Sequence, residues 1–106
     1  MTRKNIIKNF EDLSDVNYKT TILLLEWKET KYKWLITIIP FEKFVNLETI
    51  IIDWFDVRDI GAEWIIQNKK IKNIIYINRN WKNKIDEEAK KILRENNKNI
   101  IYINKN

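Results

Sequence analysis

Carboxylates are the main acid–base groups that this sequence supplies. Glu26 and Asp53 each close a short apolar run, and Asp56 and Asp59 follow shortly after the second of these runs. Strand ends are where α/β sheets place their sites, and carboxylate oxygens are ligands that suit Mg²⁺. The alternative is a structural role, in which Asp56 or Asp59 caps a helix and pairs with Arg58. We expect the structural role, and therefore neither a metal ion nor a cofactor.

Missing residue types exclude most other chemistry. The 106-residue chain has no His, no Cys, one Gly and one Pro. It therefore lacks the groups for a Ser-His-Asp triad, a Cys nucleophile, a His/Cys zinc site or a glycine-rich phosphate loop. We predict a protein that is not an enzyme and has no small-molecule substrate. It has no apolar run of membrane-spanning length and no secretory signal, so we expect a cytoplasmic or organelle-matrix protein without a membrane partner.

Basic residues concentrate in the second half of the chain. Residues 66–106 carry 11 Lys and Arg against 4 Asp and Glu, within a net charge of +5. Basic side chains beside a stackable aromatic such as Trp81 are typical of surfaces that bind nucleic acid. An AT-rich genome is the alternative explanation, because 51 of the 106 residues are Ile, Lys or Asn. The nucleic-acid-binding candidates are Lys69, Lys70, Lys72, Arg79, Lys82, Lys84, Lys90, Lys91 and Arg94.

Four apolar runs recur along the chain and indicate an internal repeat. They begin at Leu23, Ile50, Ile74 and Ile100, which are 27, 24 and 26 residues apart. Short β-branched or aliphatic runs bounded by polar residues are typical of buried strands. Both alternating faces of the third run are apolar, so both should be covered, one by helices and the other by the N-terminal half, a partner or a ligand.

Helices are predicted between the later runs. One has an apolar stripe at helical spacing and Asn83 as its expected cap; the stripe consists of Ile85, Ala89, Ile92 and Leu93. A shorter helix over residues 59–68 is expected to turn three side chains inward, Ile60, Trp64 and Ile65. The order strand, helix, strand, helix, strand predicts a parallel βαβαβ unit with right-handed crossovers.

The N-terminal half is predicted to add a β-hairpin or strand pair, which completes a single small α/β domain. Residues 20–27 are strand-like, and residues 32–39 are a second strand of the hairpin, although a helix is the alternative there. Pro40 can open a short helix through Asn46. Residues 3–13 are a helix candidate within an N-terminal extension, residues 1–18, that is either helical or flexible. The side chains expected inward are Ile6, Ile7, Phe10, Leu13, Phe41, Phe44 and Val45.

An aromatic row is the main candidate for protein binding. If the apolar runs lie in register, Ile52, Tyr76 and Tyr102 share one face of the sheet. An exposed row would be a recognition surface, whereas a buried one would be a core pair with its hydroxyls at the rim. The protein-binding candidates are Tyr76, Tyr102, Trp54, Asp53, Asp56 and Trp81. We predict a protein-binding regulator, inhibitor or immunity-type protein, or an assembly subunit, whose partner is a protein or a second copy.

Residues 47–106 resemble leucine-rich repeats of the ribonuclease-inhibitor type. The resemblance is carried by Leu47-x-x-Ile50-x-Ile52 with Gly61-Ala62-x-x-Ile65 and Asn68, and by Ile71-x-x-Ile74-x-Tyr76 with Asn80, Ala89-x-x-Ile92 and Asn96. It implies a curved solenoid of alternating strands and helices that binds proteins on its strand face.

A second resemblance is to STAS domains, which are related to anti-sigma factor antagonists. It is carried by the order of elements and by the stretch Ile50–Asp53, which leads through a loop into a helix. It implies a regulatory domain. The loop at residues 58–62 has no Ser, so this resemblance does not extend to the phosphorylatable Ser of the family's regulatory form.

Overall fold

A computed structural model of the protein describes residues 4–7, 16–26, 39–53, 57–79 and 85–105. These residues form a five-stranded parallel sheet and two α-helices, which confirms the predicted α/β class. The strands are β1 (Lys4–Ile7), β2 (Ile22–Glu26), β3 (Thr49–Asp53), β4 (Asn73–Arg79) and β5 (Asn99–Lys105). The helices are α1 (Asp59–Ile65) and α2 (Glu87–Glu95), and a 3₁₀ turn (Phe41–Lys43) precedes β3.

The strands lie side by side in the order in which they occur along the chain. All neighbouring pairs are parallel, and the starts of the four apolar runs are register neighbours, from Leu23 through Ile50 and Ile74 to Ile100. Helices α1 and α2 contact each other and contribute to the same core cluster, so they lie on the same face of the sheet, as expected for crossovers of one hand. The predicted parallel βαβαβ unit over β3 to β5 is confirmed.

The hydrophobic core lies between this face and the helices. Alternate strand residues point into it, as expected for the two-residue period of a strand. The fully buried members from β2, β3 and β4 are Leu23, Leu25, Ile50, Ile52, Ile74 and Tyr76. The helices and the 3₁₀ turn contribute Ala62, Ile65, Ala89, Leu93, Phe41 and Phe44.

Helix α2 begins three residues later than its predicted cap implies. The carboxylate of Asp86 accepts a hydrogen bond from the Ala89 N–H at 2.9 Å, so Asp86 is the N-cap, while Asn83 lies outside the described residues. The backbone N–H of Asp86 donates to Val57 O at 3.1 Å, and Ile85 bridges to Val57. Because Ile85 takes part in this parallel bridge, the helix can begin only after it.

Helix α1 confirms two of its three predicted inward residues. Ile65 is buried, and Trp64 is half-buried with its indole N–H donating to Ile39 O at 2.5 Å. The prediction for Ile60 is wrong, because this side chain is 64% exposed. Gly61 and Ala62 take the inner face of the first turn instead.

The N-terminal half differs most from its prediction. Lys4–Ile7 is a strand that pairs with β2, so the predicted helix over residues 3–13 is wrong at these positions. Strand β2 has β1 on one edge and β3 on the other. A hairpin between β2 and residues 32–39 is therefore excluded, although residues 32–38 themselves lie outside the described residues. A strand pair is present, but its other member is β1.

The turn after Pro40 is shorter than predicted. Its helical hydrogen bonds are those from Lys43 N–H to Pro40 O and from Phe44 N–H to Phe41 O, and the 3₁₀ turn ends at Lys43 rather than Asn46. Phe41 and Phe44 point inward as expected. Val45 is exposed, against the prediction, because the chain has left the turn before this residue.

Candidate protein-binding surface

The sheet face opposite the helices carries a row of aliphatic side chains that crosses all five strands. This aliphatic row consists of register neighbours, Ile6, Leu24, Ile51, Ile75 and Ile101. The three inner members are half-buried between their neighbours, and the outer members Ile6 and Ile101 are 41% and 47% exposed. Four strand spacings make the row roughly 19 Å long. An accessible apolar strip of this length is a typical feature of a protein-binding surface.

Polar and acidic residues border the aliphatic row. On the side of the strand N-termini, the Asn99 Nδ2 donates to Asn73 Oδ1 at 3.3 Å. On the side of the strand C-termini, Glu26 and Asp53 are register neighbours. Asp53 is buried and cannot contact a partner directly, which corrects its place among the protein-binding candidates. The same border continues into Ile77 and Ile103, so it is acidic at β2 and β3 and apolar at β4 and β5. Of these four side chains, Asp53 and Ile77 are buried, so this end of the face is more covered than the aliphatic row.

The other two candidate carboxylates are Asp56 and Asp59. Asp59 is the exposed first residue of α1, and Asp56 lies outside the described residues. The predicted capping role of Asp59 is wrong, because Arg58 holds the N-cap position and no side-chain cap bond is made there. In the part of the chain that the structure describes, no three Asp or Glu residues are grouped closely enough to hold a metal ion.

The aromatic row has the predicted register but lies on the helix face. Ile52, Tyr76 and Tyr102 are neighbours on adjacent strands, and the two tyrosine rings meet edge to face with centroids 6.4 Å apart. Tyr76 is buried and cannot contact a partner directly, which corrects its place among the candidates. Tyr102 remains 42% exposed because β5 is at the edge of the sheet. Trp54 and Trp81 lie outside the described residues.

Tyr102 also contacts the basic face of α2. The Lys90 Nζ lies 5.4 Å from the ring centroid of Tyr102, within cation–π range. Lys90 also bonds to Glu87 at 2.9 Å, and this hydrogen bond raises the pKa of Lys90 and lowers the pKa of Glu87. Lys90 is thus held against the edge strand by groups on two elements.

The predicted basic residues do not form one patch. Lys69, Lys70 and Lys72 lie before β4, at the edge of the sheet where strands begin, whereas Arg79 is the last residue of β4. A strand of this length separates its two ends by about 20 Å. Lys90, Lys91 and Arg94 lie on α2, and Lys82 and Lys84 lie outside the described residues. The candidates are therefore divided among at least two surfaces.

Two open pockets lie along the edge where the strands begin. Their volumes are about 590 and 600 Å³, and Lys72 lines both. The first is also lined by Lys19, Lys70 and Glu48, and the Lys70 Nζ donates to Val45 O at 2.7 Å. Lys19 was missed because it lies outside the basic half of the sequence. Its position shortly before β2 could have indicated this place, because the turns that precede parallel strands meet at one edge of the sheet.

Lys98 is basic but belongs to the interior. Its Nζ donates to Asn68 O at 3.0 Å and to Ile71 O at 2.5 Å, and its side chain is buried. Burial lowers the pKa of Lys98 below the ordinary lysine value. The ammonium group therefore ties the turn after α1 to the start of β5 and does not contribute to a binding surface.

Comparison with protein-family models, with curated proteins and with solved structures finds no match for this chain. Among the residues described here, neither helix has the length and apolar character needed to cross a bilayer.

Proposed function

We propose that the protein is a non-catalytic protein-binding module whose partner docks on the aliphatic row. The observation that carries this proposal is the accessible apolar strip across five strands. Burial of apolar surface stabilises a complex by about 25 cal/mol per Å² before the costs of association. The partner surface that fits the aliphatic row is apolar.

The strand order supports a solenoid-like way of binding. Each strand contacts only its sequence neighbours in the sheet, as in repeat proteins. The resemblance to leucine-rich repeats implies binding on the strand face, which is the face that carries the aliphatic row. We infer a regulator, an inhibitor or immunity-type protein, or a subunit of an assembly.

The proposal is tested by capture from a native-host lysate with quantitative mass spectrometry. We expect Ile6→Lys to reduce capture of the true partner by about tenfold or more, because a charge would be buried at the end of the aliphatic row. Ile60→Lys is the matched control, since it makes the same change at an exposed position on α1. If no protein is retained by the control and lost by Ile6→Lys, docking on this face is disproved.

A second candidate function is nucleic-acid binding at the edge where the strands begin. It is supported by the pocket lined by Lys19, Lys70 and Lys72, because phosphate groups are bound by clustered ammonium groups. We expect Lys72→Glu to weaken binding of a labelled single-stranded oligonucleotide and to lower the salt dependence of its Kd. Lys91→Glu is the matched control, because it makes the same charge change on α2. Equal losses in both variants would mean that only net charge matters.

A further inference from the structure

We propose that two copies of this chain associate by antiparallel pairing of their β5 strands, which joins their sheets into one continuous sheet. This inference goes beyond the proposed function, because the aliphatic row stays accessible in the pair. It begins with the outer edge of β5. Ile101, Tyr102 and Ile103 are consecutive and are 47%, 42% and 38% exposed.

The edge lacks the features that normally prevent strand pairing. Edge strands that resist pairing are usually short, or they carry Pro, bulges or several charges. Strand β5 has seven residues, contains no Pro, and has Lys105 as its one charged residue. A long, apolar and exposed edge strand is a template for a further strand.

The backbone shows which groups face this open edge. The Asn99 N–H donates to Lys72 O at 2.8 Å, so the N–H and C=O groups of Asn99 point toward β4. Backbone groups alternate in direction along a strand, so those of Ile101 and Ile103 also point toward β4. The N–H and C=O groups of Ile100, Tyr102 and Asn104 therefore point outward.

Antiparallel pairing about Tyr102 uses these outward groups fully. Tyr102 is the middle residue of β5, so a two-fold axis beside it pairs all seven residues. Tyr102 would form a hydrogen-bonded pair with Tyr102 of the second copy, and Ile100 with Asn104. Ile101 would lie opposite Ile103 in the closer, non-hydrogen-bonded pairing. These isoleucines share a face with the aliphatic row, which would then continue from one copy into the other.

Charge and aromatic contacts both favour the antiparallel arrangement. Arg79 and Lys105 are already neighbours at one end of β4 and β5. Parallel pairing would add a second Lys105 beside them, whereas antiparallel pairing places the second Lys105 at the opposite end of the strand, about 20 Å away. The edge-to-face contact between Tyr76 and Tyr102 would be repeated by the two Tyr102 rings across the axis. A two-fold pair of this kind is closed and does not extend into a filament.

Light scattering coupled to size-exclusion chromatography tests the proposal on the purified chain alone. We expect a mass twice the 13.0 kDa of one copy. Asn104→Pro should halve it, because the ring replaces an outward N–H and blocks the facing strand. It removes no backbone hydrogen bond to β4, and the one side-chain bond that it removes is the exposed contact from Asn78 Nδ2 to Asn104 Oδ1 at 3.5 Å. Ile103→Lys should also halve it, whereas the control Ile60→Lys should leave it unchanged. Circular dichroism checks that each variant is folded.

Hydrogen exchange on the unmodified protein decides the matter if the variants fail to fold. In a single copy, the amides of Ile101 and Ile103 should be protected from exchange, whereas those of Tyr102 and Asn104 should exchange freely. In the pair, all four amides should be protected. A single-copy mass at every concentration, a doubled mass that neither variant changes, or masses that grow without limit would overturn the proposal. Partner capture by the aliphatic row is scored separately through Ile6→Lys, which lies on β1.

Discussion

At the scale of single residues, Asn68 joins two turns through three side-chain hydrogen bonds. Its Nδ2 donates to Phe41 O at 2.8 Å and to Phe44 O at 2.7 Å, and its Oδ1 accepts from the Lys70 N–H at 2.9 Å. The side chain is buried. One amide thus joins the 3₁₀ turn before β3 to the turn before β4.

We predict that Asn68→Ala lowers the free energy of unfolding by about 2 to 4 kcal/mol, because the buried groups around it lose their hydrogen-bond partner. Asn96→Ala is the matched control, since Asn96 also follows a helix but makes one exposed bond, to Ile92 O. We expect that control to cost less than about 1 kcal/mol. Urea denaturation measures both, and equal costs would contradict the role of Asn68.

Lys98 makes stability depend on pH. Because its folded-state pKa lies below that of the unfolded chain, the unfolded chain binds more protons between the two values. The free energy of unfolding should therefore rise with pH as the pH passes the folded-state pKa toward the ordinary lysine value of about 10.4. We predict that the free energy of unfolding of the unmodified protein, minus that of Lys98→Met, increases with pH in this window. A difference that is constant with pH would contradict it.

The sequence did not reveal the buried roles of Asn68 and Lys98. The carbonyls that bind the Lys98 Nζ are 27 and 30 residues earlier in the chain, and those that bind the Asn68 Nδ2 are 27 and 24 residues earlier. Partners this distant become neighbours only through the strand register. Residue type and spacing along the chain therefore do not indicate a buried role for either side chain.

At the scale of elements, helix α2 depends on its cap. We predict that Asp86→Ala costs about 0.5 to 2 kcal/mol, because the Ala89 N–H loses its acceptor. Asp59→Ala is the control, since α1 has Arg58 at its N-cap position and no side-chain cap bond. The control should cost less than Asp86→Ala in urea denaturation followed by circular dichroism. A larger loss for Asp59→Ala would contradict this assignment.

The existence of α2 was predictable from its apolar stripe, but its first residue was not. Asn83 and Asp86 are both good capping residues, so residue type does not choose between them. The choice is made by the bridge between Val57 and Ile85, which is a tertiary contact. Similarly, β1 was missed because a strand of four residues has too few apolar positions to show a period.

At the scale of the whole molecule, the two faces of the sheet are covered unequally. The parallel order was predictable, because apolar runs at regular spacing with helices between them have few other arrangements. The difference in coverage was not, since Ile74 and Ile75 are the same residue type on opposite faces. The sequence therefore predicted two covered faces, and only the burial of side chains distinguishes them.

This inequality predicts different costs for neighbouring substitutions in β4. Ile74→Ala should lower the free energy of unfolding by about 2 to 5 kcal/mol, because Ile74 is fully buried in the core. Ile75→Ala should cost about 1 kcal/mol, because Ile75 is half-buried on the other face. Chemical denaturation measures both. Equal costs would mean that the face bearing the aliphatic row is also covered.

The order of the strands also bears on how the chain folds during its synthesis. Each strand pairs with the strand made just before it, and the register separates paired residues by at most 27 positions, as between Ile22 and Thr49. No pairing in the sheet has to wait for a strand made much later, and short loops close at low entropic cost. A chain leaving the ribosome can therefore add its strands one at a time, and β5, the strand that completes the sheet, is the last to emerge.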